Sequence, residues 1–206
     1  MARSKSSGSW LRRHVTDPYV KLAQKEGYRS RSAYKLIELN EKDRLLRPGI
    51  QVMDLGSAPG GWSQVAARAV GSQGRVLATD ILAMDQISNV DFIQGDFTSD
   101  AVVEQINSWL KGDKFDLIIS DIAPNLSGID SADQARSIYF LELALDTVRL
   151  ALKPGAAFVA KMFQGQGSDD YVKELRKSFK KVSIRKPKAS RPESREVYIV
   201  AKEFIA

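Results

Sequence analysis

The stretch VMDLGSAPGGWSQVAARAV, residues 52–70, decides the fold of this 206-residue chain. It begins as an apolar strand containing Asp54, passes through a run with almost no side-chain bulk at 56–61, and continues with the periodicity of a helix. A strand, a glycine loop and a helix in this order are typical of α/β proteins whose ligand approaches the loop backbone at the helix start. The stretch therefore predicts a ligand site at the carboxyl end of the first strand.

Apolar strands and amphipathic helices alternate from this stretch to the end of the chain. Strands are predicted at 50–55, 75–80, 91–96, 115–121, 156–163, 181–187 and 195–204, and helices at 62–70, 99–111, 133–152 and 168–180, with Lys-Pro-Gly closing the third. The alternation predicts a doubly wound α/β fold with a mostly parallel, seven-stranded sheet and helices on both faces. Only a short basic loop, 188–194, separates the last two strands, so we expect them to form an antiparallel hairpin at one edge.

Two further helices are predicted ahead of the core, at 17–26 and 31–41, the first with Asp17 as N-cap and Pro18 at its first position. No repeat or linker divides the chain. We expect one domain over 1–206, with a disordered tail at 1–9, a basic helical extension at 10–49 and a Rossmann-like core at 50–206.

Charge is segregated along the chain, whose net charge is +6. Residues 1–50 carry 12 Lys and Arg against 5 acidic residues, residues 51–170 carry 8 against 16, and residues 171–202 carry 11 against 3. Solvated helices and tails are one explanation, but aromatic residues among the N-terminal charges favour a nucleic-acid partner. The residues that we expect to bind this nucleic acid are Arg12, Arg13, Arg29, Arg31, Lys186, Lys188 and Arg191.

Composition excludes several classes of protein. There is no cysteine, which excludes disulfides and thiolate metal sites, and we expect no metal. No segment approaches the roughly 18 to 20 apolar residues of a membrane span, and the basic N-terminal segment lacks the apolar region of a signal peptide. We therefore expect a cytoplasmic protein that acts away from membranes; a mitochondrial presequence, which an Arg- and Ser-rich, acid-poor start also fits, is the alternative.

Four acidic residues follow or end the predicted strands: Asp54, Asp80, Asp96 and Asp121. Asp80 is placed to accept hydrogen bonds from a ribose, and Asp96 lies near the expected position of an adenine. The loop spacing is Gly-x-x-x-Gly-Gly rather than the Gly-x-Gly-x-x-Gly that holds a pyrophosphate. Because several carboxylates around one pocket disfavour a pyrophosphate and suit a cation, the pattern favours S-adenosylmethionine over a nicotinamide dinucleotide.

Lys161 interrupts the apolar strand AAFVAKMF close to its ligand-facing end. An unpaired ammonium would be costly to bury there, so the side chain either reaches solvent or has partners. Asp121 ends a neighbouring strand, and Glu196 begins the last strand, so both are candidate partners. Lys35, on the second helix, has no distinguishing feature by itself.

These residues also lie in blocks that closely resemble the RrmJ/FtsJ family of ribosomal RNA large-subunit 2′-O-ribose methyltransferases. The blocks are RSRSAYKL, DLGSAPGGWSQ, SDIAPNLSG, VAKMFQGQG and SREVYIVA, and the resemblance extends from about Trp10 to Val200. It implies the class I S-adenosylmethionine-dependent methyltransferase fold and a catalytic tetrad of Lys35, Asp121, Lys161 and Glu196. It also implies cofactor contacts at Gly60, Trp62, Asp80, Asp96 and Asp121.

The resemblance further implies methylation of the A-loop uridine of 23S ribosomal RNA in an assembled large subunit, and we expect a monomer. Lys161 is the candidate base: burial and Lys35 favour its neutral amine, whereas Asp121 and Glu196 favour its ammonium. A charged Lys161 that stabilises an alkoxide remains the alternative role. Methylation of tRNA or an mRNA cap, and a non-catalytic assembly factor that binds RNA, remain alternative functions.

Overall fold

The computed structural model describes residues 16–124 and 130–205. In chain order these residues form α1 (Pro18–Glu26), α2 (Ala33–Asp43), β1 (Gln51–Leu55), α3 (Gly61–Val70), β2 (Arg75–Asp80), β3 (Val90–Gln94) and α4 (Asp100–Leu110). They continue with β4 (Phe115–Ser120), α5 (Asp130–Ala151), β5 (Leu152–Phe163), α6 (Ser168–Ser178), β6 (Phe179–Arg185) and β7 (Glu196–Phe204). Arg12 and Arg13 and the expected tail at 1–9 lie outside the described residues.

One seven-stranded sheet with the order β3-β2-β1-β4-β5-β7-β6 organises the domain. The pairs among β1 to β5 are parallel, whereas β7 pairs antiparallel with both β5 and β6. This confirms the predicted α/β fold and its antiparallel hairpin, in which β7 is inserted beside β5 and β6 forms the edge. Because β7 runs in the opposite direction, its first residue lies at the edge where the parallel strands end.

Alternating strand residues bury into two separate cores, one on each face of the sheet. On β1, Val52 packs with α2 and α3, whereas Met53 packs with α4, α5 and α6. Ile118 and Ile119 on β4 divide between the same two cores. Successive strand residues point to opposite faces, so a continuous apolar run is what a sheet covered on both sides requires.

The local signals at the first helix are confirmed. The Asp17 carboxylate accepts from the backbone N–H of Tyr19 at 3.0 Å, Pro18 opens α1, and Gly27 ends it in the left-handed region with φ 73°. This arrangement satisfies an otherwise free amide at the helix start and lets the chain turn sharply at its end.

The helix ends at Ala151, just before Lys-Pro-Gly, but the predicted start of the next strand at 156 is wrong. Residues 153–155 belong to β5, which begins directly after α5 at Leu152. Leu152 pairs with Phe115, the register then shifts, and regular pairing resumes between Leu117 and Ala157. Pro154 lacks an amide hydrogen for the ladder, so the strand passes through an irregularity instead of a loop. Among the described residues, no helix is long and apolar enough to cross a membrane.

Candidate active site

The glycine loop between β1 and α3 is covered in part by the protein's own side chains. Gly56 and Gly60 have φ values of 68° and 106°. A Cβ on Gly56 would lie 2.1 Å from Ile122 Cγ1, and one on Gly60 would lie 2.5 Å from Ile87 Cδ1. Glycine is therefore required in this loop because the protein's own side chains pack against it, in addition to any approach by a ligand. The sequence pattern could not distinguish these two reasons.

Three of the four predicted acidic residues lie close together. The Asp54 carboxyl is within electrostatic reach of Asp80 and Asp121. Asp80 accepts from the N–H groups of Ala58 and Leu82, both at 2.8 Å, and thus connects the glycine loop to the end of β2. A carboxylate has roughly four lone-pair sites, so Asp80 keeps acceptor capacity for a ligand hydroxyl.

The fourth acidic residue, Asp96, is exposed and lies beyond the end of β3. It accepts from the backbone N–H of Thr98 at 2.9 Å and from the Thr98 hydroxyl at 2.7 Å. These bonds stabilise the turn that leads into α4. A cofactor contact at Asp96 stays a prediction.

A cleft of about 40 Å³ opens beside the glycine loop, lined by Asp54, Ser57, Pro59, Trp62 and Asp121 among others. Asp54 Oδ2 accepts from the Ser63 hydroxyl at 2.6 Å, whereas Asp54 Oδ1 and the Ser57 hydroxyl are buried without a hydrogen-bond partner in the described structure. Unpaired buried polar atoms are costly. Both residues line the cleft, and their oxygen atoms can accept hydrogen bonds. They therefore suit a small cationic group there, as S-adenosylmethionine would present.

Burial, opposed by the Ser63 hydrogen bond and assisted by the charges of Asp121 and Asp80, raises the pKa of the Asp54 carboxyl to about 7. An adjacent cation would reverse this effect because it favours the ionised carboxylate. The charge of Asp54 is therefore sensitive to what occupies the cleft.

Trp62 lines the cleft, but only 2% of its surface is exposed to solvent. Its indole N–H donates to the Ser32 carbonyl at 2.8 Å, and its ring lies 5.6 Å from that of Tyr198. Trp62 therefore packs the first turn of α3 against the segment that precedes α2, in addition to its predicted role beside the cofactor.

Two ion pairs bring together the four residues of the predicted tetrad. Lys161 Nζ lies 3.1 Å from Asp121 Oδ1 and donates to the Asp121 carbonyl at 2.6 Å. Lys35 Nζ lies 2.7 Å from Glu196 Oε1. Both lysines are under 10% exposed. Two cations and two anions balance the buried charge, and breaking either pair would leave an uncompensated ion.

Tyr198 connects the two ion pairs. Its hydroxyl donates to Asp121 Oδ1 at 2.6 Å, and its ring centroid lies 5.5 Å from Lys35 Nζ. Burial and then the nearby Asp121 and Glu196 carboxylates raise the pKa of Tyr198 well above its usual value, so the hydroxyl remains a donor. Burial opposes ionisation of Asp121, but Lys161 and Lys35 hold its pKa below the usual value.

Hydrogen bonds from two further residues hold Glu196 in position. The Ser190 hydroxyl donates to Glu196 Oε1 at 2.8 Å, and Lys186 Nζ donates to the Glu196 carbonyl at 2.9 Å and to the carbonyl of Ser194. The loop before β7 thus sets the position of the carboxylate that pairs with Lys35.

Several predicted RNA-binding side chains contact the protein itself. Arg31 donates to the Ala189 carbonyl at 2.6 Å and pairs with Asp17 at 2.9 Å. Arg191 lies 3.9 Å from the same Asp17, and the side chain of Lys188 is exposed. The described part of the basic N-terminal segment is therefore in contact with the basic loop between β6 and β7.

Arg29 also has protein partners, since its guanidinium donates to three backbone carbonyls near the glycine loop. RNA contacts by these residues stay predictions.

Sequence reasoning missed two residues that the structure places at the site and two exposed residues that directly follow Asp80. Ser57 lies within the glycine loop and Tyr198 within the apolar strand β7, and no local pattern marks either residue. Ile81 and Leu82, directly after Asp80, are 69% and 62% exposed. Two large apolar side chains exposed at the carboxyl end of a parallel strand are a recognisable signal for contact with an apolar ligand group.

The described residues contain no group of His, Cys, Asp or Glu side chains arranged to hold a metal.

Comparison with known proteins agrees with this geometry. Curated relatives include the ribosomal RNA large subunit methyltransferase E of Stutzerimonas stutzeri, 67% identical over 99% of both chains, and that of Marinobacter nauticus, 62% identical over 99% of both. A crystal structure described as a ribosomal RNA methyltransferase of Plasmodium falciparum is 32% identical, with a TM-score of 0.78 over 87% of this chain and 100% of that one.

A more distant solved structure supports the fold alone. The SAM-dependent O-methyltransferase of Thermotoga maritima is 17% identical, with a TM-score of 0.55 over 84% of this chain and 65% of that one. Residues 28–204 match the FtsJ-like methyltransferase family over a range that contains the glycine loop and all four tetrad positions. With this match and the high identity of its relatives over their full length, the chain belongs to the FtsJ-like methyltransferase family.

Proposed function

We propose that this protein transfers the methyl group of S-adenosylmethionine to a ribose 2′-hydroxyl of large-subunit ribosomal RNA. The observation that carries the proposal is the pair of buried ion pairs, Lys35–Glu196 and Lys161–Asp121, assembled beside the glycine-loop cleft. The names of the relatives support ribosomal RNA as the substrate. The resemblance noted in the sequence implies the A-loop uridine in an assembled subunit as the target.

The residues around the cleft suit each part of this cofactor. Asp54 Oδ1 and Asp121 offer negative charge to its cationic end, and the remaining lone pairs of Asp80 suit its ribose hydroxyls. The exposed side chains of Ile81 and Leu82 suit the apolar face of its base. When bound, S-adenosylmethionine supplies a methyl group already activated by the sulfonium.

Lys161 takes the proton from the 2′-hydroxyl in this proposal. Its Nζ donates to the Asp121 carbonyl and forms an ion pair with the Asp121 carboxylate. A neutral amine has two N–H groups and one lone pair, so Asp121 can hold both hydrogens while the lone pair faces the substrate hydroxyl. A charged Lys161 would instead offer its third N–H to the developing alkoxide, and a lysine-to-arginine substitution separates these roles.

The other tetrad members hold Lys161 and the ribose in position. Asp121 is fixed by the Tyr198 hydroxyl, and Lys35 is fixed by Glu196, leaving the remaining N–H groups of Lys35 for the ribose or its phosphate. Alignment of the hydroxyl with the methyl group supplies several kcal/mol of the rate enhancement, with an upper range of about 7 to 11.

The basic residues are proposed to hold the phosphate backbone. Lys188 and Arg191 on the loop between β6 and β7 lie beside the N-terminal helices, so one surface would present charges from both basic segments. Shape and the pocket around the tetrad would select the nucleotide. We further propose that the protein works as a monomer in the cytoplasm, where its ribosomal substrate is located.

The decisive experiment measures where methyl groups are placed. Purified protein with labelled S-adenosylmethionine is given large subunits that lack the modification, or protein-free 23S RNA, and the nucleosides are analysed by mass spectrometry. We expect one 2′-O-methylated uridine in the A-loop with subunits and little product with free RNA. A methylated base, or methylation that survives Lys161→Ala, would overturn the proposal.

A further inference from the structure

Arg29 makes an unusual set of contacts for a residue in a basic segment. It lies in the turn at 27–32, between α1 and α2. Its guanidinium donates to the carbonyls of Pro59 at 3.2 Å, Asp85 at 2.7 Å and Gln86 at 2.9 Å. Pro59 belongs to the glycine loop, whereas Asp85 and Gln86 belong to the segment 81–89 that joins β2 to β3. One side chain therefore ties two separate segments together.

The turn that carries Arg29 is itself fixed to α3. Gln64 Oε1 accepts from the backbone N–H of Arg29 at 2.8 Å, and Gln64 Nε2 donates to the Gly27 carbonyl at 2.9 Å. A Cβ on Gly61 would lie 2.3 Å from the Ser30 hydroxyl oxygen, so the turn sits directly on the start of the helix. Both the backbone and the guanidinium of Arg29 are thus held in place.

The segment 81–89 needs such a tether, because it has no helix or strand of its own. It begins with the exposed Ile81 and Leu82 and places Met84 and Ile87 against Gly60. It therefore forms a wall beside the glycine loop. Asp80 connects the start of this wall to the loop through Leu82 and Ala58, and Arg29 supplies two hydrogen bonds that fix the middle of the wall.

We propose that Arg29 is a positioning residue of the cofactor site, acting through the segment 81–89. This inference rests on the proposed use of S-adenosylmethionine at the glycine loop. The planar guanidinium can serve three carbonyls in a fixed geometry, which the single nitrogen of lysine cannot reproduce. The charge of Arg29 is secondary, and its donors are directed at the protein, not at a phosphate.

The test uses the substitutions Arg29→Ala and Arg29→Lys in the full chain, with Arg68→Ala as the matched control. Arg68 is an exposed arginine on α3, stacked over the Tyr28 ring at 4.4 Å, so its removal takes one positive charge from the same face. Affinity for S-adenosylhomocysteine is measured by calorimetry at low and high salt. The KM for S-adenosylmethionine and kcat are measured with large subunits, and hydrogen exchange reports on residues 81–89.

We expect Arg29→Ala to raise the Kd about 5- to 20-fold at both salt concentrations, to raise KM similarly, and to leave kcat at saturating cofactor within twofold. Exchange should accelerate in 81–89, Arg29→Lys should bind nearly as weakly as alanine, and Arg68→Ala should match wild type. A Kd within twofold of wild type for both Arg29 variants would overturn the inference, as would lysine restoring full affinity. If wild type itself fails to bind the ligand, the proposed function fails first.

Discussion

Replacing Asp54 with asparagine tests whether ionisation of this buried carboxyl, which lies below the glycine loop, lowers the stability of the protein. Asp54 is 1% exposed, and its Oδ1 has no hydrogen-bond partner in the described structure. Burial raises the pKa of its carboxyl from 3.8 to about 7. The native state therefore binds the proton more tightly than the unfolded chain does. The stability that this proton provides is present at low pH and is lost as pH rises from about 4 through 7.

The magnitude follows from the size of the shift. Each pKa unit corresponds to 1.36 kcal/mol, so ionising Asp54 in the native state costs about 4 kcal/mol by pH 8. About 2 kcal/mol of this is already lost at pH 5, because the unfolded carboxyl is ionised there. Asparagine has no proton to lose, so its unfolding free energy should gain about 2 to 3 kcal/mol on wild type between pH 5 and 8. The amide also places N–H donors in a site without a partner, a pH-independent cost of about 1 to 3 kcal/mol.

Urea unfolding without cofactor at pH 5, 6, 7 and 8 measures this difference, with Glu104→Gln, an exposed carboxylate on α4, as the control. We expect Asp54→Asn to be within about 1 kcal/mol of wild type at pH 5 and more stable than wild type by about 1 to 3 kcal/mol at pH 8, while the control follows wild type throughout. The same variant should bind S-adenosylhomocysteine poorly, because the α-ammonium group of this ligand loses the Asp54 carboxylate as its anionic partner. A difference in stability that does not change with pH would refute the reasoning.

The remaining predictions concern the chemistry, the cofactor and the RNA. Lys161→Ala should abolish methyl transfer in a tritium assay while cofactor affinity by calorimetry changes little; Lys161→Arg should also fail, and substantial turnover by it would rule out the base role. Asp80→Ala should weaken cofactor binding by about 1 to 3 kcal/mol, and unchanged calorimetric affinity would exclude Asp80 from the site. Binding to subunits should weaken with salt by about 0.7 to 0.9 log units per phosphate contact and log unit of salt. Charge reversal at Lys188 and Arg191 should reduce that slope without affecting the cofactor, and a flat salt dependence would contradict a common RNA surface.

The apolar pattern was sufficient to predict the sheet, because the apolar residues of each strand indicate that the strand is buried. It failed at residues 153–155, where Pro and Gly are typical of a loop, yet a register shift accommodates them in β5. Strand order also explains why the acidic residues could be placed together: the carboxyl ends of parallel strands share one edge, and β7 adds Glu196 there by running in reverse.

Long-range contacts of ordinary residues were beyond the sequence. Tyr198 lies in the apolar strand EVYIVA and is indistinguishable from a core residue until its hydroxyl is seen on Asp121, 77 positions away. Arg29 belongs to a basic segment, so its charge suggested a phosphate, but its partners are carbonyls 30, 56 and 57 positions further along the chain. Charge patterns identify which segments can bind an anion, not which of their side chains the fold has already used.

The basic extension at 10–49 is better understood as part of the catalytic domain than as an arm added to it. Its helix α2 buries Leu36 in the core beneath the sheet and delivers Lys35 to Glu196. One turn later, Glu38 accepts from the N–H groups of Lys188 and Ala189 at 2.6 and 3.0 Å, and so fixes the basic loop. The turn before α2 contacts the glycine loop through Arg29. One short segment therefore contacts the glycine loop, the tetrad and the basic loop between β6 and β7.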